Sequence, residues 1–214
     1  MINLVIAFDN QDSKLGRYFE DCRNDILSLL DEQNHLVKSI LRMASNQCNE
    51  AYIDVVVSQL NPNPFIFVAY THGTDDGLKC NGTSFVSVDN CHYFANTLFY
   101  STACLIGRKL ASELIAKGCK TFIGFKDKSE VFECASYRQT FIECDNYALK
   151  MFLISDSTIG KAFDSMKVHY TSKIDRLMEL GEDIFYIAAL RENRDALVCS
   201  GDRNLKKEDL FVLT

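Results

Sequence analysis

Cys104 and His72 are the two residues whose types and surroundings are equipped for covalent chemistry. A thiol is mostly protonated near neutrality, and a helix N-terminus or a neighbouring imidazole raises its thiolate fraction. Cys104 ends the apolar stretch NTLFYSTAC and precedes LIGRKLASELIAKG, an amphipathic segment of helical period. His72 stands at the end of PFIFVAYTHG, directly before Gly73. A glycine there lets the backbone approach a substrate carbonyl, so the N–H groups of Gly73 and Cys104 are the expected oxyanion donors. Taken singly, Cys104 reads as one more small core hydrophobe among nine cysteines. The strand-end position, the helix after it and the His-Gly partner together read as a nucleophile with its acid–base partner.

Such a pair needs neighbouring strands that leave a sheet at the same edge, where open α/β sheets collect their functional groups. The expected buried strands are INLVIAF from Ile2, YIDVVVSQL from Tyr52, PFIFVAY from Pro64, NTLFYSTAC from Asn96 and CKTFIGF from Cys119. Between the first two, Leu15, Tyr18, Phe19, Cys22, Ile26, Leu29, Leu30, Leu36, Val37, Ile40 and Leu41 recur at helical spacing, which predicts a helix or helix pair. Gly118 falls where a helix C-cap precedes the next strand. From Ser136 the chain reads as mostly helical, DIFYIAAL is ambiguous, and ALVCSG is a further candidate strand. Alternating strands and helices predict a mostly parallel α/β sheet flanked by helices on both faces. No repeat, Pro-rich linker or composition shift divides residues 1–214, so one domain is expected.

Composition narrows the function classes. A formal charge of -6 disfavours a broad surface for nucleic acid or anionic lipid. No apolar run approaches the ~20 residues of a membrane span, and the opening apolar run has no basic flank, against a signal peptide. Nine scattered cysteines without a compact framework fit a reducing cytoplasm. There is no CxxC, and Cys91-His92 lacks further ligands, so no metal and no cofactor are expected.

An apolar strand ending in His72-Gly73, then one ending in Ala103-Cys104 before a helix, resembles the caspase-like cysteine peptidases. The chain departs from the caspase Gln-Ala-Cys-Arg/Gln-Gly motif, reading Ser101-Thr102-Ala103-Cys104-Leu105-Ile106-Gly107. Cys104 follows His72 by 32 residues, against roughly 50 in caspases. The chain is more similar to the CHAT-domain and gingipain-like branch, in which the cysteine helix leads through a glycine into a strand such as GCKTFIGF. The long helical stretch from Phe141, the segment STIGKAFDSMKVHY and the closing Val198-Cys199-Ser200-Gly201-Asp202 extend the likeness, with Arg203 where a proline is usual. The resemblance implies a caspase-like fold and an endopeptidase with His72 and Cys104 as dyad, no acidic third member and no cofactor. It also implies a protein substrate, such as a pore-forming protein cut in prokaryotic defence or programmed death.

By the same resemblance, the first specificity pocket is lined by Thr102 and the loop after the first strand. Asp9 or Asp12 would select a basic residue there, Lys14 or Arg17 an acidic one. Asn81-Gly82 within DDGLKCNGTSFVSV predicts a hairpin beside the site. Three other function classes stand against this reading. A phosphoreceiver-like domain would use Asp9 and Lys126, but the strand from Pro64 ends in Tyr-Thr-His-Gly rather than an aspartate. A nucleotide-binding module is opposed by the lack of any glycine-rich phosphate loop. An inactive or zymogen-like scaffold that only binds partners keeps both dyad residues without using them.

Overall fold

The structure, a computed structural model, describes residues 1–132 and 134–212. Its centre is a six-stranded sheet of β1 (Ile2–Phe8), β2 (Val37–Ala44), β3 (Phe65–Tyr70), β7 (Thr97–Ser101), β8 (Thr121–Phe125) and β9 (Leu197–Gly201), in the spatial order β2-β1-β3-β7-β8-β9. All neighbours are parallel except β9, which runs antiparallel to β8. β1, β3, β7 and β8 are buried along their whole length. That is why they read as unbroken apolar runs rather than alternations.

Each of these strands sends alternate side chains into two separate cores. On one face, Leu4, Ile6, Val68, Tyr70, Leu98 and Tyr100 meet α1 (Gly16–Glu32), α4 (Ala135–Ile154), α5 (Ile159–Glu179) and α6 (Ile184–Ala196). On the other, Val5, Ala7, Phe65, Phe67, Phe99 and Phe122 meet α2 (Glu50–Leu60), α3 (Lys109–Ala116) and a small antiparallel sheet. That sheet comprises β4 (His72–Thr74), β5 (Gly77–Cys80) and β6 (Thr83–Ser87). The expected hairpin is present, with Asn81 and Gly82 both at positive φ, 50° and 74°, as its tight turn demands. The fold is therefore α/β, with a mostly parallel sheet covered by helices on both faces.

Three local expectations are corrected. The stretch from Tyr52 to Leu60 belongs to α2, not to a strand. Asn49 caps it by accepting from the Tyr52 N–H at 2.9 Å, and Ile53, Val56, Val57 and Leu60 form its buried stripe while Val55 is 54% exposed. Its run of β-branched residues imitated a strand. Conversely, the region expected to be helical through Ser45 leaves the helix after Glu32 and returns as β2. As an edge strand buried mainly at Met43, it spaces its apolar residues no differently from a half-buried helix. Cys104 does not directly precede a helix either: residues 104–108 form an irregular turn with Leu105 at φ 66°, and α3 begins at Lys109. Gly107 holds that turn against β8 and β9, since a Cβ there would lie 2.6 Å from Val198 and 2.9 Å from the Lys126 nitrogen. The ambiguous DIFYIAAL segment is the start of α6, capped by Asp183, and the stretch ALVCSG supplies β9.

Candidate active site

Parallel pairing of β3 with β7 sets Ala69 opposite Ser101. His72 and Cys104 each lie three residues beyond that pair, so the two chains leave the sheet in step. Thr102 N–H bonds the Ala69 carbonyl at 3.3 Å and the Ser101 hydroxyl bonds the same oxygen at 2.9 Å, which fixes the two exits to each other. Gly73 is required at this seam. A Cβ there would overlap the Cys104 carbonyl oxygen and come within 2.8 Å of Ile106 and 2.9 Å of Ala103.

His72 and Cys104 line one cavity of about 30 Å³, shared with Thr71, Thr102, Ser129 and Asp145 and walled by Leu15, Phe19 and Val131. That is room for about one water-sized group, not for a substrate side chain. The thiol is half-buried and held by the loop after β8. It accepts from the Ser129 N–H at 3.3 Å and lies 3.3 Å from the Ser129 hydroxyl. Among the described residues the Cys104 N–H donates to nothing, so an unspent backbone donor sits beside the sulfur. With α3 starting at Lys109, a helix N-terminus does not act directly on this thiol.

His72 is oriented by two neighbours. Its Nε2 lies 3.0 Å from the Asp12 carboxylate, and its ring meets Phe19 edge-on at 5.5 Å between centroids. Asp12 is itself fixed, because its Oδ1 accepts from the Lys14 and Leu15 N–H groups at 2.9 and 2.6 Å. Burial pushes its carboxyl up, but those amides, Leu15 before Lys14, and then His72 outweigh it, leaving the group below its ordinary value. Imidazole and thiol do not bond each other in this structure; each is engaged by its own partner.

Of the residues expected in a specificity pocket, Thr102 lines the cavity and the others do not. Asp9 is 1% exposed and spends its oxygens on the Ser45 hydroxyl at 2.8 Å and the Asn81 N–H at 3.0 Å, tying the end of β1 to the hairpin tip. A carboxylate so satisfied is a structural tie. Asp12 turns instead to His72, a contact that was not expected. Lys14 and Arg17 are exposed and stand outside the cavity.

Two contributors escaped sequence reasoning. Ser129 lies in a polar loop with no periodicity to mark it. Asp145 carried a signal, because it interrupts the apolar stripe Phe141, Ala148, Leu149 and Phe152 of α4. It is 2% exposed and accepts from the hydroxyls of Tyr18, at 2.5 Å, and Tyr170. Burial raises it to about 6 against the pull of Tyr170 and then Tyr18.

No protein-family model matches the sequence, and no curated protein matches it. A larger groove of about 810 Å³ runs along α5, lined by Lys167, Asp175, Arg176 and Arg194. It is open and of mixed charge, and no cysteine or histidine lines it. No helix of the described residues is long and apolar enough to cross a membrane.

Proposed function

We propose that the chain is a caspase-like cysteine endopeptidase that cuts a protein partner through a thioacyl-enzyme on Cys104. The observation that carries this reading is the placement of His72 and Cys104 at equal steps past a paired Ala69 and Ser101, in one cavity with an unspent N–H. The Cys104 thiolate attacks the scissile carbonyl carbon, and the oxyanion formed takes a hydrogen bond from the Cys104 N–H, with Gly73 N–H as the second expected donor. His72 in its protonated form gives its proton to the leaving amine as the C–N bond breaks. Neutral His72 then takes a proton from water, whose oxygen attacks the thioester and releases the carboxylate product and the thiol. Asp12 acts through His72, holding its ring in place through the 3.0 Å contact with Nε2.

The Ser129 contacts favour a second reading, in which this is a latent form that must shift its β8–α4 loop before substrate enters. Both readings place the reaction on the same sulfur. The resemblance adds a role in prokaryotic defence or programmed death, with a pore-forming protein as one substrate of the right kind; this part rests on fold-level analogy.

The test is mass-spectrometric profiling of new peptide termini after incubating a proteome-derived peptide pool with the wild-type chain and with Cys104→Ala or His72→Ala. Termini from the wild type that fall by about 10³-fold or more in both variants support the dyad. Termini that persist in Cys104→Ala would remove the sulfur from the mechanism.

A further inference from the structure

The Cys104 thiol lacks the stabilisers that its sequence context promised, because α3 starts only at Lys109 and the His72 imidazole meets Asp12 instead. Among the described residues every hydrogen-bond partner of the sulfur belongs to Ser129. The N–H donates at 3.3 Å, the hydroxyl lies at 3.3 Å, and the carbonyl, at 3.6 Å, is the most distant of the three. A carbonyl suits a protonated thiol, whereas an N–H and a hydroxyl that can turn to donate suit a thiolate. Ser129 offers the sulfur two donors where a helix N-terminus was expected.

Residues 126–130 follow β8 without regular structure, and of these only Ser129 turns inward. The next residue, Glu130, is gripped by Asn193 of α6. Its N–H donates to Asn193 Oδ1 at 2.9 Å, and its carbonyl accepts from Asn193 Nδ2 at 2.8 Å. Asn193 is fully buried inside a helix, where an amide is a poor helix former and costs free energy unless its polar atoms are paired. Both are paired, and both with one residue's backbone. A carboxylate can only accept and an aliphatic side chain can do neither, so an amide is the group that fits. The Lys126 N–H adds a bond to the Ala196 carbonyl at 2.8 Å. On the side of Cys104, the Leu105 N–H donates to the Asp127 carbonyl at 3.2 Å and Arg108 Nε to that of Lys126 at 2.8 Å. The loop is fixed both to α6 and to the turn after Cys104, with Ser129 between them.

We propose that Ser129 stabilises the Cys104 thiolate through its N–H and hydroxyl, and that Asn193 is the positioning residue that keeps those donors on the sulfur. When the thiol gives its proton to His72, the charge left on sulfur meets two donors already in place, with no reorganisation to make. As the sulfur attacks the scissile carbonyl, that charge passes to the oxyanion and the Cys104 N–H takes over. The catalytic use of this arrangement rests on the peptidase reading, whereas the state of the sulfur can be read without any substrate.

The rate of iodoacetamide alkylation of Cys104, followed by peptide mass spectrometry at pH 7 and pH 9.5, tests this with wild type, Ser129→Ala and Asn193→Leu. Beside it, kcat and KM are measured on a peptide that the wild type cuts. The expected result at pH 7 is a fall of about threefold in Ser129→Ala, which loses the hydroxyl and keeps the N–H, and of about tenfold in Asn193→Leu. At pH 9.5, where an unassisted thiol is largely ionised, the three rates should meet within about twofold. The fall in kcat should follow the pH 7 rates while KM moves little. A mere loosening of the fold would speed alkylation at both pH values and reach buried thiols such as Cys119 and Cys144 as well, so the direction separates the two roles. A pH 7 rate that holds or rises in Asn193→Leu overturns the inference, and a rise would mark the Ser129 contact as a latch on the sulfur. If Asn193→Leu does not fold, Ser129→Ala decides by the same criterion. Slower alkylation in the variants, with no peptide cut by the wild type, would support stabilisation of the sulfur and sink the peptidase reading alone.

Discussion

The two faces of the central sheet are built from the same strands and yet from different chemistry. The face toward α2, α3 and the hairpin is a phenylalanine stack. Phe67 packs on Phe94 and Phe99 at 4.8 Å between centroids in each case, and Phe99 on Phe122 at 5.8 Å. The face toward α1, α4, α5 and α6 places tyrosines at the corresponding depth, and their hydroxyls converge on α4. Tyr70 donates to Asn146 Oδ1 at 2.7 Å, Tyr100 to the Asp145 carbonyl, and Tyr18 and Tyr170 to the Asp145 carboxylate. Asn146 passes the network on to the Cys22 carbonyl and Asp25, both at 2.9 Å. One face maximises apolar burial, whereas the other spends stability to hold a polar group at a defined point. The polar network reaches the cavity of Cys104; the phenylalanine stack does not.

Truncating the stack should give the largest effect and a plain one. Phe99→Ala removes a fully buried ring that packs against three others, Phe67, Phe94 and Phe122, and a loss of about 3–5 kcal/mol is expected. Urea unfolding of wild type and variant at pH 5 and pH 8 should return the same difference, because no titratable group takes part in the stack. A difference that changes strongly with pH would mean that the two faces are not energetically separate.

The opposite face should show the reverse signature. The Asp145 carboxyl rises from 3.8 to about 6 in the fold, so folding favours its protonated form. Its contribution is fully present below about pH 4 and is lost as pH rises through 6. For a fully buried group that is worth about 2–3 kcal/mol. Asp145→Asn carries no such titration, and its hydrogen-bond partners are tyrosine hydroxyls, which can turn to accept from an amide. Between pH 4 and pH 7.5 the stability difference should therefore move in favour of the variant by roughly that amount. A gap that stays constant across this range would show that Asp145 ionises in the fold as readily as in the unfolded chain, and the contrast between the faces would then be one of shape alone.

The contrast also explains what could be read from the sequence. β3, β7 and β8 were legible because burial on both sides makes them short unbroken apolar runs, and their exits gave His72 and Cys104 directly. β2 was not, because an edge strand with one buried methionine spaces its apolar residues as a helix does. α2 was hidden by three consecutive valines, although Asn49 before Glu50 was a visible cap. Within the site, Asp12 and Thr102 were near enough in the chain to be singled out. Their roles were not legible, since Asp12 bonds a histidine 60 residues away. Asp145 lies still further from its partner Tyr18, at a separation of 127 residues. Only its charge within an apolar stripe announced it.

The smallest effect is expected where the two faces meet. Asp12 belongs to the loop leading into α1 on the tyrosine side, and His72 to β4 on the phenylalanine side, so their 3.0 Å contact joins the halves across the mouth of the cavity. Asp12→Asn keeps the shape and a hydrogen-bonding atom but removes the charged partner that holds the His72 ring. A fall in kcat of about tenfold, near 1.4 kcal/mol, is expected with KM little changed, because Asp12 meets the histidine and not the substrate. Asp12 is also held below its ordinary value in the fold, so its stabilisation is present at neutral pH and fades as pH drops through the acid range. The variant should accordingly match wild-type stability most closely at low pH and fall behind above it. If kcat is unchanged while KM rises, Asp12 faces substrate after all, and the junction between the faces would be part of the specificity pocket rather than a support for the acid–base residue.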